Sequence, residues 1–149
     1  MDKKTESRKS VSSRSTTQKA LRINLDEKKY GTIVEIGAGQ EVARQFFLAG
    51  AAAGTIAKTM SAYDMKFSDA IYGVQEDGRY VSKARVKAMM EQEFDWVVDR
   101  VGDIRSKSSR YFAYAATVSA KSFNRKNECH AWCGVRVQMY PGAKPSNIT

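Results

Sequence analysis

The residues with the clearest chemical potential lie in TIVEIGAGQEVAR, at positions 32–44 of the sequence. An apolar run leads to Gly37, Ala38 and Gly39, and a helical pattern starts at Gln40. A strand that turns on glycines into a helix leaves free backbone N–H groups at the positive end of the helix dipole, where a phosphate or carboxylate can bind. Gly37, Gly39 and Gln40 are therefore predicted to bind the charged part of a nucleotide-like cofactor.

Glu35, at the end of the strand pattern, is followed by the Gly-x-Gly sequence of Gly37 and Gly39. This arrangement also resembles the first motif of S-adenosylmethionine-dependent methyltransferases. In that fold the loop surrounds the methionine part of the cofactor. The sequence departs from dinucleotide and methyltransferase patterns at two places. Glu41 stands where a third glycine is usual, and the acid expected ~20 residues later would be Asp64. These departures favour the other interpretation, a turn whose glycines serve only backbone geometry, with Glu41 favoured by the helix dipole.

A second group of polar residues follows in KTMSAYDMKFSDAIYG, positions 58–73. Lys58 and Tyr63 are predicted to complete the cofactor site. Asp64 and Asp69 are candidate catalytic acids or bases. The interleaved aromatic and basic residues would also suit stacking on nucleic-acid bases, and the same aromatics fit a protein core.

The sequence NECHAWCG brings Cys129, His130 and Cys133 together, which suggests a metal site at first sight. Side chains alternate between the two faces of a strand, so His130 would point away from both cysteines, and those two would lie roughly 13 Å apart. We therefore expect no metal here. His130 is the only histidine, so it and the adjacent Cys129 are retained as candidate catalytic residues. A packed cysteine and a hydrogen-bonded histidine are the simpler alternative.

Composition limits the class of protein. The chain has 149 residues, which suits one domain, and 25 Lys and Arg against 16 Asp and Glu give a net charge of +9. Residues 1–20 are basic and rich in Ser and Thr, and we predict a disordered tail that could contact RNA or another polyanion. Two cysteines do not make a disulfide scaffold, and no apolar run suits a membrane span or secretory signal. The expected location is the cytoplasm.

The hydrophobic pattern predicts an α/β or α+β domain over residues 21–149. Residues 20–25 alternate like a half-buried strand, and residues 32–37 form a second strand that could pair with it as a hairpin. A helix is predicted from Gln40, with Gly50 as its stop.

The rest of the pattern adds a long helix and a hairpin to this mixed sheet. Residues 82–101 predict a helix capped by Ser82 with one apolar face. The stretches 110–123 and 129–140 are rich in aromatic and β-branched residues and predict an antiparallel hairpin. Residues 49–73 allow either a strand and a helical turn or a compact loop.

Several strings resemble the N-terminal part of a bacterial protein group of unestablished function, over about residues 21–148. They are KYGTIVEIGAGQEVAR, AAGTIAKTMSAYDMKFSDAIYG, RYVS, and NECHAW followed by GVR. Members of that group carry labels such as TonB-dependent receptor and nicotinate- or nicotinamide-nucleotide adenylyltransferase. The first label conflicts with the lack of an apolar signal segment. The second requires a paired-histidine motif, whereas the sole histidine here is followed by Ala131 and Trp132.

The resemblance implies that the chain is the N-terminal part of a longer bacterial protein. The leading hypothesis is a small-molecule site, for a nucleotide-like ligand, formed by the glycine loop with residues from positions 58–64. One rival is a non-enzymatic module that binds RNA or an acidic protein. Another is a fragment of a nucleotidyltransferase-like or S-adenosylmethionine-binding enzyme. The sequence leaves open whether the protein is an enzyme and in which oligomeric state it occurs.

Overall fold

A computed structural model describes residues 14–124, 126 and 128–149 of the chain. Its centre is a five-stranded mixed sheet with the strand order β2-β1-β3-β4-β5. The strands are β1 Lys29–Gly37, β2 Ile56–Ala62, β3 Arg110–Val118, β4 Ala131–Val137 and β5 Ser146–Ile148.

The central strand β1 runs parallel to both of its neighbours, β2 and β3. Strands β3 and β4 are antiparallel, with Phe112 opposite Val137 and Val118 opposite Ala131. Strand β5 then pairs antiparallel with β4. The mixed α/β class and the C-terminal antiparallel hairpin are thus confirmed.

In the described part of the chain, four α-helices and one short 3₁₀ helix connect or precede these strands. They are α1 Thr16–Asn24, α2 Val42–Ala49, the 3₁₀ helix Ala52–Gly54, α3 Met65–Tyr72 and α4 Lys83–Val101. The ambiguous stretch 49–73 therefore contains a complete strand, β2, and a helix of two turns.

The expected strand at residues 20–25, and with it the N-terminal strand pair, is wrong. Helix α1 occupies this region and starts at Thr16, so its first five residues lie inside the predicted disordered tail. Its start is fixed by a capping box, in which the Ser15 side chain accepts from the backbone of Gln18 and the Gln18 side chain accepts from the backbone of Ser15. Ala20 and Asn24 are its buried residues, a spacing of four that belongs to a helix.

The stop at Gly50 and the helix at 82–101 are confirmed. Gly50 has φ 83° at the end of α2, a conformation that favours glycine. Ser82 caps α4 by accepting from the backbone N–H of Arg85. The apolar face of α4, which includes Val86, Met90 and Phe94, is buried against the sheet. Periodicity together with these end signals therefore predicts both helices.

The helices form two layers around the sheet. Val34 and Ile36 of β1 pack in one cluster with Val86, Met89 and Met90 of α4. Alternate residues of a strand face opposite sides, so Glu35 lies on the other face, where it bonds to the start of α2. Helix α1 packs on α2 in the same layer.

The chain leaves β1 to form β2 on one side and later returns to form β3 on the other side. The carboxyl ends of β1 and β3 therefore meet at a point where the strand order reverses, which is the usual position of ligand sites in open α/β sheets. No helix of the described residues is both long enough and apolar enough to cross a membrane.

Candidate functional site

A cavity of about 490 Å³ opens at the carboxyl ends of β1 and β3, beside the start of α3 and the segment that leads into α4. Its volume falls in the range of small-molecule sites. The wall combines apolar residues such as Ile36 and Val118 with a ring of polar ones. The polar residues are Tyr63, Ser68, Arg79, Tyr80, Arg85, Thr117, Ser119 and His130.

Among the residues that the structure describes, two arginines and no carboxylate line this cavity. Arg79 is exposed at the mouth, whereas Arg85 is only 1% exposed. Among the described residues, no carboxylate forms an ion pair with Arg79. Arg79 is therefore the wall residue that brings a positive charge without a described carboxylate partner, whereas the charge of Arg85 is balanced by Asp69.

Arg85 belongs to a group of three side chains that we call the Asp69 cluster: Asp69, Tyr80 and Arg85. The guanidinium of Arg85 forms an ion pair with Asp69 through Nη2 and donates through Nη1 to the carbonyl oxygen of Ser68, at 3.2 Å. The hydroxyl of Tyr80 donates to the other carboxylate oxygen of Asp69, at 3.1 Å. The guanidinium also lies 5.8 Å from the centre of the Tyr80 ring. Asp69 therefore binds two residues of the cavity wall.

The Asp69 cluster changes the acidity of Tyr80. The hydrogen bond to the ionised Asp69 holds the pKa of the Tyr80 hydroxyl above its usual range, and burial adds to the effect. The phenol thus stays protonated and keeps donating to the carboxylate at neutral pH.

Two further contacts fix the rim of the cavity. Thr117 Oγ1, at the end of β3, donates to the carbonyl oxygen of Tyr80 at 2.8 Å. The backbone N–H of Ser119 donates to the carbonyl oxygen of His130, and the backbone N–H of His130 donates to Ser119 Oγ, both at 2.9 Å. His130 therefore has a fixed backbone at the cavity rim, directly before β4.

The glycine loop has a structural explanation in its packing on β3. Gly37 has φ 88°, and a Cβ atom at this position would overlap the carbonyl oxygen of Val118. A Cβ at Gly39 would overlap the side chain of Val118. The loop can approach the end of β3 only without side chains here. Of the predicted loop residues, Gly37 lines the cavity.

The start of α2 is bonded by a carboxylate of the chain itself. Glu35 Oε1 accepts from the backbone N–H groups of Glu41 and Val42, at 3.1 and 2.8 Å, and Oε2 accepts from Ala43 at 3.2 Å. Glu35 is 3% exposed. The helix dipole and the free N–H groups that were expected to bind a ligand anion thus stabilise Glu35 instead.

Two other predicted cofactor residues lie away from the cavity wall. Gln40 is exposed, and its side chain donates to the carbonyl oxygen of Gly37 at 3.2 Å. Lys58 forms an ion pair with Glu93 of α4 and lies 5.2 Å from the centre of the Trp96 ring. The structure therefore brings Gly37 and Tyr63 together at the cavity and places Lys58 in another group.

We call that group the Glu93 cluster: Lys58, Tyr72 and Glu93. Glu93 is fully buried, and the hydroxyl of Tyr72 donates to its Oε1 at 2.8 Å. Burial, and after it the hydrogen bond to Glu93, raises the pKa of Tyr72 well above its usual value. Tyr72 is therefore a permanent donor to this carboxylate.

The candidate catalytic residues have separate positions. Asp64 caps α3, where its carboxylate accepts from the backbone N–H of Phe67 at 2.9 Å. Asp69 lies behind the cavity wall in its cluster, and His130 lines the cavity. Cys129 is exposed and is not part of the lining. Of the four candidates, only His130 thus faces the cavity directly.

The two cysteines are free and exposed. Tyr114, on the neighbouring strand, has its pKa raised to about 12 by burial, with Cys133 and Glu35 adding to the shift. In the part of the chain that the structure describes, no group of three His, Cys, Asp or Glu side chains is placed to hold a metal ion.

The sequence interpretation missed six polar residues of the wall: Ser68, Arg79, Tyr80, Arg85, Thr117 and Ser119. One signal was present for Arg85. It lies four residues before Met89 and eight before Glu93, and all three are fully buried or nearly so. Two charged residues in register with an apolar helix face are unusual, because burying a charge is costly unless it is paired.

The polyanion contact predicted for residues 1–20 falls mostly on residues 1–13, which lie outside the described residues. Arg14 and Lys19, within the described part, are exposed.

Comparison with known proteins gives information on the fold. The structure is similar to the crystal structure of the competence/damage inducible protein CihA from Agrobacterium tumefaciens, with a TM-score of 0.56 and 12% sequence identity. The match covers 91% of this chain and 80% of that one. No family model and no curated protein matches the sequence. At this identity the similarity shows a shared fold and nothing further.

Proposed function

We propose that the protein binds a small anionic molecule of nucleotide-like chemistry in the cavity at the carboxyl ends of β1 and β3. The observation that carries this proposal is Arg79 in the wall of that cavity, which forms no ion pair with a described residue, while no described carboxylate lines the wall. The position agrees with the rule that ligands of open α/β sheets bind where the strand order reverses.

The cavity offers a distinct partner for each part of such a ligand. Arg79, exposed at the mouth, supplies a guanidinium for a phosphate or carboxylate. The rings of Tyr63 and Tyr80 supply flat apolar surface for a planar base. Ser119 supplies a hydroxyl for sugar oxygens at the rim. Arg79, and not the start of α2, is thus the proposed binding group for the anion, because Glu35 already accepts from the N–H groups at the start of α2.

The same proposal includes a cytoplasmic location and a bacterial source. Two free, exposed thiols suit a reducing compartment. The resemblance of residues 21–148 to a bacterial protein group fits a bacterial source.

The test is a thermal-shift and calorimetric titration of the full chain with AMP, ATP, NAD and S-adenosylmethionine. Adenosine serves as the uncharged control and ribose 5-phosphate as the anion without a base. A ligand at 100 times its dissociation constant stabilises the folded state by ~2.7 kcal/mol, a shift of several degrees. We expect at least one nucleotide to shift the melting temperature, and adenosine to shift it less.

Arg79→Gln is the variant that links binding to the cavity. Loss of a hydrogen bond to a charged group costs about 1.5–3 kcal/mol, so the dissociation constant should rise by about 10- to 100-fold. Arg44→Gln, which removes an equally exposed arginine outside the cavity, is the matched control. Gly39→Val is less informative, because the new side chain would collide with Val118 and disturb the fold.

The proposal fails if no nucleotide of the panel binds. It also fails if Arg79→Gln and Arg44→Gln weaken binding equally, since that result would mean a diffuse effect of positive charge.

A further inference from the structure

The Asp69 side chain lies behind the cavity wall and binds two residues that line it, but Asp69 does not itself line the cavity. One carboxylate oxygen pairs with Arg85 and the other accepts from the hydroxyl of Tyr80. The side chain of Asp69 is 18% exposed and that of Arg85 is 2% exposed. The Asp69 carboxylate on α3 thus connects three elements: α3 itself, the segment before α4 through Tyr80, and α4 through Arg85.

The contacts around Tyr80 leave it little freedom. Its hydroxyl is bonded to Asp69, its ring faces the guanidinium of Arg85, and its carbonyl oxygen accepts from Thr117. Arg79 is the adjacent residue, so the segment that carries the exposed arginine is fixed at the next position along the chain. A side chain that is already ordered before binding loses less entropy when the ligand arrives.

We propose that Asp69 is a positioning residue of the cavity, which holds Tyr80 and Arg85 in the arrangement that receives the ligand. This inference rests on the proposed function, since it concerns the same cavity. It assigns Asp69 a role that acts through its two partners, without contact with the ligand.

The sign of the effect separates positioning from simple electrostatics. Replacement of Asp69 by Asn removes a negative charge from beside a cavity that binds an anion. If charge alone mattered, the anion would bind more tightly. If Asp69 positions the wall, the anion binds more weakly, because Asn offers one acceptor oxygen to two donors and no charge to pair with Arg85.

The experiment measures AMP and inorganic phosphate binding to the full-length wild type, Asp69→Asn, Tyr80→Phe and the double variant by calorimetry. Tyr80→Phe removes only the hydroxyl that donates to Asp69 and keeps the Asp69–Arg85 pair. We expect each single variant to weaken AMP binding by about 3- to 30-fold, with the double variant no weaker than Asp69→Asn alone, because both changes break one unit. Tyr72→Phe, which removes a similar hydroxyl from the Glu93 cluster, should bind AMP like the wild type.

The outcomes are distinguishable. Wild-type protein that binds neither probe contradicts the proposed function and this inference together. Wild-type binding combined with unchanged or tighter binding by Asp69→Asn contradicts only the positioning role. If Asp69→Asn does not fold, Tyr80→Phe decides alone: wild-type affinity in that variant overturns the inference.

Discussion

The Asp69 cluster and the Glu93 cluster contain nearly the same groups in two different settings. Each combines a tyrosine hydroxyl, a carboxylate and a basic side chain. Each also uses one residue from the buried face of α4, Arg85 in the first and Glu93 in the second, about two helical turns apart. Residues of the first cluster line a cavity, whereas none of the second lines that cavity.

The difference between them lies in what the buried residue faces. Glu93 is completely enclosed by its partners and the core. Arg85 is just as buried, yet it borders an open volume. The same chemistry thus stabilises the fold in one place and forms the wall of a candidate site in the other. Mutations in the two clusters should therefore affect different properties of the protein.

The largest expected effect is on stability, from Lys58→Met in the Glu93 cluster. The substitution leaves the buried Glu93 carboxylate without its counter-charge, which should lower the free energy of unfolding by about 2–4 kcal/mol, less than for a fully buried pair because the Lys58 side chain is 41% exposed. Urea denaturation measures this loss, and Lys66→Met, at an exposed site, is the control. AMP affinity of the folded variant should be unchanged. A loss below about 0.5 kcal/mol would mean that the pair has no structural role.

Glu35 is another buried carboxylate, and its described partners are all backbone N–H groups, those of Glu41 and of the first two residues of α2. Glu35→Gln keeps one acceptor oxygen but loses the charge and a second acceptor, so we expect a loss of about 1.5–3 kcal/mol of stability. Hydrogen exchange should show increased opening of α2. If stability were unchanged and nucleotide binding were lost, Glu35 would be a site residue and the start of α2 a ligand site.

The two tyrosines give a matched pair of smaller changes. Tyr72→Phe leaves the buried Glu93 with one donor fewer and should cost about 1–2 kcal/mol of stability without changing AMP affinity. Tyr80→Phe should show the reverse pattern, with a smaller loss of stability and weaker AMP binding. Denaturation and calorimetry on both variants measure the pattern. If the two variants lost the same stability and the same AMP affinity, the proposed difference between the two clusters would be wrong.

The smallest effect is a dependence of stability on alkaline pH. An unfolded tyrosine ionises near pH ~10, whereas Tyr72 has a raised pKa and keeps its proton in the folded state to higher pH. Above pH ~10 the folded state therefore binds more protons, and the free energy of unfolding falls as pH rises, by up to about 1.4 kcal/mol per pH unit for this group.

Denaturation curves at pH values on both sides of this point measure the slope. Tyr72→Phe should reduce this slope, while Tyr140→Phe, at an exposed tyrosine, should leave it unchanged. Part of the slope remains in Tyr72→Phe, because the pKa values of Tyr80 and Tyr114 are also raised. An identical slope in the wild type and Tyr72→Phe would mean that the hydroxyl is not held by burial and Glu93.

Long elements with a strong period could be predicted from the sequence. The face of α4 and the stop of α2 at Gly50 were apparent because their signals are local. Residues 20–25 were misassigned because six residues are too few to distinguish a period of two from one of 3.6. Ser15 and Gln18 form the capping box that starts the helix, but both lie inside the stretch that was interpreted as a disordered tail.

The site could be predicted only in part. Gly37, Tyr63 and His130 were identified from residue type, and the structure places all three at the cavity. Arg79 and Thr117 were not identified, because they approach the cavity through crossovers that no local pattern encodes. The contacts of Lys58 could not be predicted, because its partner Glu93 lies 35 residues later in the chain, on α4.

The most direct test of the account is an NMR titration of ¹⁵N-labelled full-length protein with AMP. We predict chemical-shift changes at the backbone amides of Gly37, Ser119 and His130, around the cavity. The indole signal of Trp96, which lies over Lys58 beside the Glu93 cluster, should not move. Shifts confined to the Trp96 side, or no shifts at all at millimolar AMP, would contradict the assignment of the cavity as the binding site.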